Sequence, residues 1–250
     1  LKVALQGKEL ADLFQWFGKP IAPVGRFRAS AELRDANVAP AATGANAAAG
    51  SQHSYAFDDL ALEFGRSSAR GRVAFIPGEP RPRLTLKLGG PSLDLSIASS
   101  PQKKSDGVNP LLAADIDAEV QFERVVLPDR RVLGPVSGGF TLVAGALELK
   151  QLGIGLDGTN ATIDGTIADP IKPAGIAMTV NLEASNGEGI AAFTALPGLR
   201  PLRHFSASAK VTDVPDGYAF AGLKLAFQAT TISGDVSLTR GAQRFKLQAT

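Results

Sequence analysis

The chain contains no cysteine, which excludes disulfides and thiolate-held metals. Only two histidines, His53 and His204, occur among 250 residues. A histidine metal centre needs more ligands of that type or a tight carboxylate cluster. A catalytic triad needs a base held by a carboxylate and aimed at a nucleophile. His53 lies in an Ala-, Gly- and Ser-rich stretch and His204 beside Phe205 at a strand start, so both read as ordinary surface residues. Excess charge is also scarce: 26 basic residues stand against 24 acidic ones, a net charge of +2. That gives no electrostatic case for nucleic acid, which is normally held by a basic stripe. No run approaches the ~18 apolar residues of a membrane-spanning helix, and no signal peptide is visible. What is abundant is glycine (27) and proline (16), with 44% hydrophobic and 20% charged residues. This is the composition of a globular chain with many strands and turns.

Period-2 alternation runs through the sequence. Phe27, Ala29, Ala31 and Leu33 alternate with Arg28, Ser30, Glu32 and Arg34. The same rhythm places Leu60, Leu62 and Phe64 on one face of a strand, and likewise Leu84, Leu86 and Leu88. It recurs at Leu93, Leu95 and Ile97, at Ile116, Ala118, Val120 and Phe122, and at Met178, Val180 and Leu182. Successive side chains of a strand point to opposite faces, so each strand has one dry and one wet face, the habit of antiparallel sheets. Leu1, Val3 and Leu5 alternate at the start, and Phe245, Leu247 and Ala249 at the end. The chain therefore reads as an excised piece of a longer protein. Helix signals are few. Leu10, Leu13, Phe14 and Phe17 have amphipathic spacing, stopped by Gly18 and Pro20, and a weaker counterpart runs from Ile190 to about Leu196.

The chain repeats itself. "YAFDDLALEFGRSSARGRVAF" opens at Tyr55 and "YAFAGLKLAFQATTISGDVSL" at Tyr218. Upstream, "GKELADLFQWFGKPIAPVGRFRASAELRD" from Gly7 matches "GEGIAAFTALPGLRPLRHFSASAKVTD" from Gly187, with Phe27 and Ala29 corresponding to Phe205 and Ala207. A looser third hairpin, "LELKQLGIGLDGTNATIDGTI" from Leu147, is expected to have a longer turn. Repetition of one unit implies that the unit is stacked or extended. The organisation read from this is one module over 1–250: a repeat unit at 7–98, a linker at 99–110, β-hairpins at 111–186, and a truncated second unit at 187–250. The stretch "APAATGANAAAGSQHS" reads as a flexible loop inserted in the first unit.

Each candidate site has a plain structural reading. "GIGLDG" from Gly153 satisfies G-x-G-x-x-G, but a strand-like stretch follows it where a nucleotide fold needs a helix. Asp115, Asp117, Glu119 and Glu123 share one strand face, which suits a solvated surface that discourages edge pairing. Arg26, Arg28, Arg34, Arg81 and Arg83 read as solvated rim charges, with anionic headgroups as the sharper reading. Asn160 opens a glycosylation sequon that also recurs by chance. Phe14, Trp16 and Phe17 read as the cap of an open sheet end, against a membrane-interface anchor.

Four stretches carry a family resemblance. They are "GKELADLFQWFGKPIAPVGRFRASAEL", "DDLALEFGRSSARGRVAF", "RPRLTLKLGGPSLDL" and "DIDAEVQFERVVLPDRRVLGPVSGGFTLVAGALEL". In that order the chain resembles the AsmA-like family of bacterial envelope proteins, which includes TamB. The departures are the alanine-rich insertion near Asn46 and the turn of "GLDGTNATIDG". The resemblance implies a long, curved antiparallel sheet of repeated units with an apolar groove, here accompanied by two short amphipathic helices. It implies a periplasmic protein held in the inner membrane by an N-terminal anchor absent from this chain. It further implies phospholipid transport toward the outer membrane, or support of outer-membrane assembly, with envelope proteins as partners.

Alternation alone favours a closed β-sandwich scaffold or interaction module, and the resemblance reverses that order. Two short helices cannot cover so many apolar strand faces, so these faces meet one another or something outside the chain. The expected groove lining is Leu60, Leu62, Phe64, Leu84, Leu86, Leu88, Val120, Phe122, Val180, Leu182, Leu223, Leu225 and Phe227. The expected ligands are phospholipid acyl chains, without catalytic residues, cofactor, metal or nucleic acid.

Overall fold

The computed structural model describes residues 1–9, 25–35, 54–96, 114–194, 198, 200–227, 229–240 and 245–249. Strands dominate. The first half holds β1 (Lys2–Gly7), β2 (Phe27–Asp35), β3 (Tyr55–Phe64), β4 (Ser67–Ile76), β5 (Arg83–Asp94), β6 (Asp115–Phe122), β7 (Val125–Val126) and β8 (Val132–Leu133). The second half holds β9 (Val136–Val143), β10 (Ala146–Leu156), β11 (Thr159–Asp169), β12 (Ala174–Asn186), β13 (Arg203–Val214), β14 (Gly217–Phe227), β15 (Thr230–Arg240) and β16 (Phe245–Ala249). One helix, α1 (Glu188–Thr194), lies among the described residues. It starts two residues before the expected Ile190 because the Asn186 Oδ1 accepts the N–H of Glu188 at 3.0 Å. The expected helix at Leu10, Leu13, Phe14, Trp16 and Phe17 lies outside the described residues, as do His53 and the linker at 99–110.

All strands belong to one 16-stranded sheet, and β1 through β6 and β9 through β16 neighbour one another in chain order. The path ends at β1 and β16 without closing. Among the described residues no second sheet faces the first, so the strands do not form a sandwich. Two details depart from expectation. The sheet is mixed, because β5 pairs with β6 in parallel, Leu86 opposite Ala118 and Leu88 opposite Val120. Neighbours that share a tight turn must run antiparallel, but the twenty residues 95–114 are long enough for a crossover connection. The segments at Leu84–Leu88 and Leu93–Leu95, read as two alternating runs, begin as one strand, β5, with a register shift between Ser68 and Arg70 of β4 marking a bulge. Past it, β5 still pairs with β4 through Ser92 and Ser68 and also pairs in parallel with β7, Leu93 opposite Val125.

Bulges explain the repeated line. In β3 the register jumps between Phe57 and Leu60, in β10 between Lys150 and Gly153, and in β14 between Phe220 and Leu223. "YAF-DD-LALEF", "LEL-KQ-LGIGL" and "YAF-AG-LKLAF" are thus three copies of one bulged strand. A bulge adds one residue, bends the strand and sharpens its twist. The extra N–H needs a partner, and a carboxylate of the next strand supplies it twice. Gln151 N–H donates to Asp164 Oδ1 at 2.7 Å, and Gly222 N–H to Asp235 Oδ1 at 2.7 Å. The strand opposite packs closely against the strand beyond it. Gly71 (φ 149°) and Gly165 (φ 135°) sit there, and a Cβ at either would collide with the carbonyl of Lys87 or Ala177. The third hairpin does not have the longer turn expected. Asp157 and Gly158 join β10 to β11 just as Gly65 and Arg66 join β3 to β4. The G-x-G-x-x-G stretch is therefore a hairpin.

Candidate apolar ligand face

Because residues paired across strands share a face, the register decides which side chains lie together. One row can be followed without interruption. Leu33 lies opposite Phe57, then come Val73, Leu86, Ala118, Phe140, Leu149, Gly165, Met178, Val211, Phe220 and Val236. No charged or hydroxyl side chain interrupts it. At ~4.8 Å between neighbouring strands, fourteen strands give this face an arc on the order of 60 Å. The thirteen residues expected to line a groove all fall on this face. Leu60, Leu62 and Phe64 come from β3, and Leu84, Leu86 and Leu88 from β5. Val120 and Phe122 come from β6, Val180 and Leu182 from β12, and Leu223, Leu225 and Phe227 from β14. All are half-buried except Phe122, which is only 3% exposed. Leu33, Ala118 and Met178 of the row were read on apolar strand faces, but Phe57, Leu149 and Phe220 were missed as lining. Their signal is a spacing of three, as from Phe57 to Leu60, which marks a bulge rather than a break in the strand.

The two ends of the strands differ. At one end a cap covers the face. Val125 and Leu133, from the β7–β8 hairpin, form a buried cluster with Ala69 and Phe122, and Leu62, Leu88, Val136, Ile154, Leu156 and Phe193 of α1 pack against it. Arg131 ties the two parts of the cap together. Its Nη1–H donates to the Phe193 carbonyl at 2.9 Å, its guanidinium lies 4.3 Å over the Phe193 ring, and its Nε–H donates to Asp129 Oδ2 at 2.6 Å. The Arg131 N–H on the Asp129 carboxylate, aided by the guanidinium, holds that carboxyl below the usual range. At the other end the face is only partly covered, with Leu142 and Ile176 buried at 3% and 6% exposure. Tyr55, Phe75 and Tyr218 there are 44%, 38% and 41% exposed, and Tyr55 and Tyr218 are equivalent residues of the two copies.

The opposite face is polar and laced with ion pairs. Arg72 Nε lies 2.9 Å from Asp58 Oδ1, Arg83 Nη2 2.9 Å from Asp117 Oδ2, and Lys87 Nζ 2.7 Å from Glu119 Oε2. Arg34 bridges Glu32 at 3.0 Å and Asp58 at 3.6 Å, and its hydrogen bond and charge hold the Glu32 carboxyl below its ordinary pKa. Arg81 lies 4.0 Å from Asp115. Thus Asp115, Asp117 and Glu119 face basic partners on neighbouring elements. Exposed pairs of this kind contribute about 0–1 kcal/mol each. A depression of about 1040 Å³, lined by Arg34, Asp58, Arg72, Lys87, Glu119 and Lys150 among others, opens on this polar side. His204 is exposed, with φ 47°, beside a shallower depression that also touches Glu183 and Ser206.

Among the described residues no group of three or more His, Asp or Glu side chains could hold a metal ion. No helix among them is long and apolar enough to cross a membrane. Comparison of the chain with protein-family models, curated proteins and solved structures finds no match in any of the three.

Proposed function

We propose that the apolar face binds phospholipid acyl chains, and that the chain is the periplasmic part of an inner-membrane-anchored, AsmA-like protein that supports lipid transport to the outer membrane or its assembly. The observation that supports this reading best is the unbroken apolar row across the sheet, mostly half-buried, with no second sheet against it among the described residues. Each methylene that replaces water on such a face contributes roughly 0.8 kcal/mol, so a long acyl chain gains on the order of 10 kcal/mol before its ordering cost. The mechanism needs no covalent step. The cap closes one end of the strands, so tails enter from the partly covered end near Tyr55 and Tyr218, with headgroups in water there.

Native mass spectrometry with lipid extraction tests this on protein purified gently from a bacterial envelope. Co-purifying phospholipid that a Leu86→Glu variant loses while its circular dichroism stays β-rich is the expected result. A lipid-free protein whose apolar face is covered by self-association would overturn it.

A further inference from the structure

Over β3 to β6 the apolar face runs from an exposed rim to the cap. In β4 its residues are Phe75, Val73, Gly71 and Ala69, and in β6 they are Ile116, Ala118, Val120 and Phe122. Phe75 at the rim is 38% exposed, whereas Ala69 and Phe122 at the far end are 4% and 3% exposed. The residues that close this end come from β7 and β8. Val125 and Leu133 are cross-strand partners, so they point the same way, and both are buried against Ala69 and Phe122. Val132, one position along, points away and is 46% exposed. Backbone bonds fix this hairpin to β5. Glu123 N–H donates to the Gly90 carbonyl at 3.1 Å, Leu93 N–H to the Arg124 carbonyl at 2.9 Å, and Leu95 N–H to the Val126 carbonyl at 2.8 Å. The cap is thus a wall rather than a flap.

The depth in front of the wall follows from the strand geometry. Phe75 lies four positions from Gly71, as Leu84 does from Leu88 and Ile116 from Val120. At ~3.3 Å per residue each run spans about 13 Å. A bilayer core ~30 Å thick gives the tails of each leaflet about 15 Å, so the two lengths nearly coincide. We propose that the paired Val125 and Leu133 are a length stop, which makes the face select phospholipids by the length of their tails. This rests on the acyl-chain reading above. A tail enters at the rim beside Tyr55 and Phe75, lies along the strands, and meets Val125 and Leu133 with its methyl end. Up to the stop, each methylene replaces water on apolar surface and raises affinity about fourfold. A longer tail must bend out into water or press into a packed cluster, so its further methylenes add almost nothing.

The test uses the full chain and single-tailed lysophospholipids of increasing saturated chain length, each below its micellar concentration, competing against a fluorescent phospholipid. Affinity should climb about fourfold per methylene and then level off where the tail spans about 13 Å. Leu133→Ala lengthens the lane and should move that break to tails about two methylenes longer, and Val125→Ala, a smaller change to the same wall, should move it in the same direction. The unaltered chain gives a second readout by photo-crosslinking. A diazirine on the terminal carbon of the tail should label Leu88, Val120, Val125 or Leu133, and a diazirine next to the ester should label Tyr55, Phe75 or Leu84. No binding at any length would overturn the acyl-chain reading and the length stop together. Binding that climbs without a break, a break that stays in place in the folded variants, or two probes that label the same residues would overturn the length stop alone.

Discussion

Leu86 and Phe122 lie on the same face, yet they respond differently to charge, and the contrast separates ligand binding from folding. Leu86 is half-buried between Val73 and Ala118, outside the cap cluster. A glutamate there can turn its carboxylate to water, so Leu86→Glu should cost about 1 kcal/mol of stability. An acyl chain crossing that point must leave the carboxylate solvated and lift off about four methylenes, roughly 3 kcal/mol, which is about a hundredfold in affinity. Phe122 is 3% exposed inside the cap cluster. Phe122→Glu buries an unpaired charge, and even Phe122→Ala should cost about 3–5 kcal/mol. Titration with a fluorescent phospholipid, beside chemical denaturation of both variants, checks this. If Leu86→Glu unfolds the chain, or if it folds and binds lipid like the parent, the reasoning fails.

Four further outcomes follow from the geometry. Gly71→Val should destabilise by about 2–4 kcal/mol, because it puts a Cβ into the Lys87 carbonyl at φ 149°. Gly198→Ala, with open space around it, should stay within about 0.5 kcal/mol in the same denaturation series. Arg131→Ala removes the bond and stacking that join the β7–β8 hairpin to α1, and should speed amide exchange across 188–194 by about tenfold, leaving the β13–β15 exchange unchanged. Asp213 accepts the N–H groups of Gly175 and Ile176, which hold its carboxyl below the ordinary range. A depressed pKa in the folded state means the contribution is present above the unfolded value, near ~3.9, and is lost as pH falls through the folded one. Exchange protection at the start of β12 should therefore fade only in strong acid, and Asp213→Asn should abolish that pH dependence.

Much of the sheet was legible because a two-residue period has only two faces. Once Leu60, Leu62 and Phe64 alternate with polar neighbours, the side they share follows, and antiparallel pairing carries it to the next strand. The bulges were less legible. The two residues between Phe57 and Leu60, one more than alternation allows, look like the end of one strand and the start of another, unless the three copies are aligned at that point. The parallel β5–β6 pair was not legible, since pairing direction depends on a crossover whose path no local pattern encodes. Nor was the cap. "VVLPDRR" offers too few residues for any period, and Arg131 gains its role only from Phe193, sixty-two positions away. Phe122 shows the consequence: alternation assigns its face correctly but cannot say that a hairpin covers it.

The central claim is that acyl chains lie on the apolar face and nowhere else on the sheet. Photo-crosslinking with a phospholipid carrying a diazirine in its acyl chain, followed by peptide mapping, tests it most directly. The account predicts label on Leu60, Leu86, Val180 and Leu223, none on Arg72, Lys87 or Lys150, and loss of label when unlabelled phospholipid competes. Label concentrated in the depression around Arg72 and Lys87, or label that no lipid displaces, would contradict it.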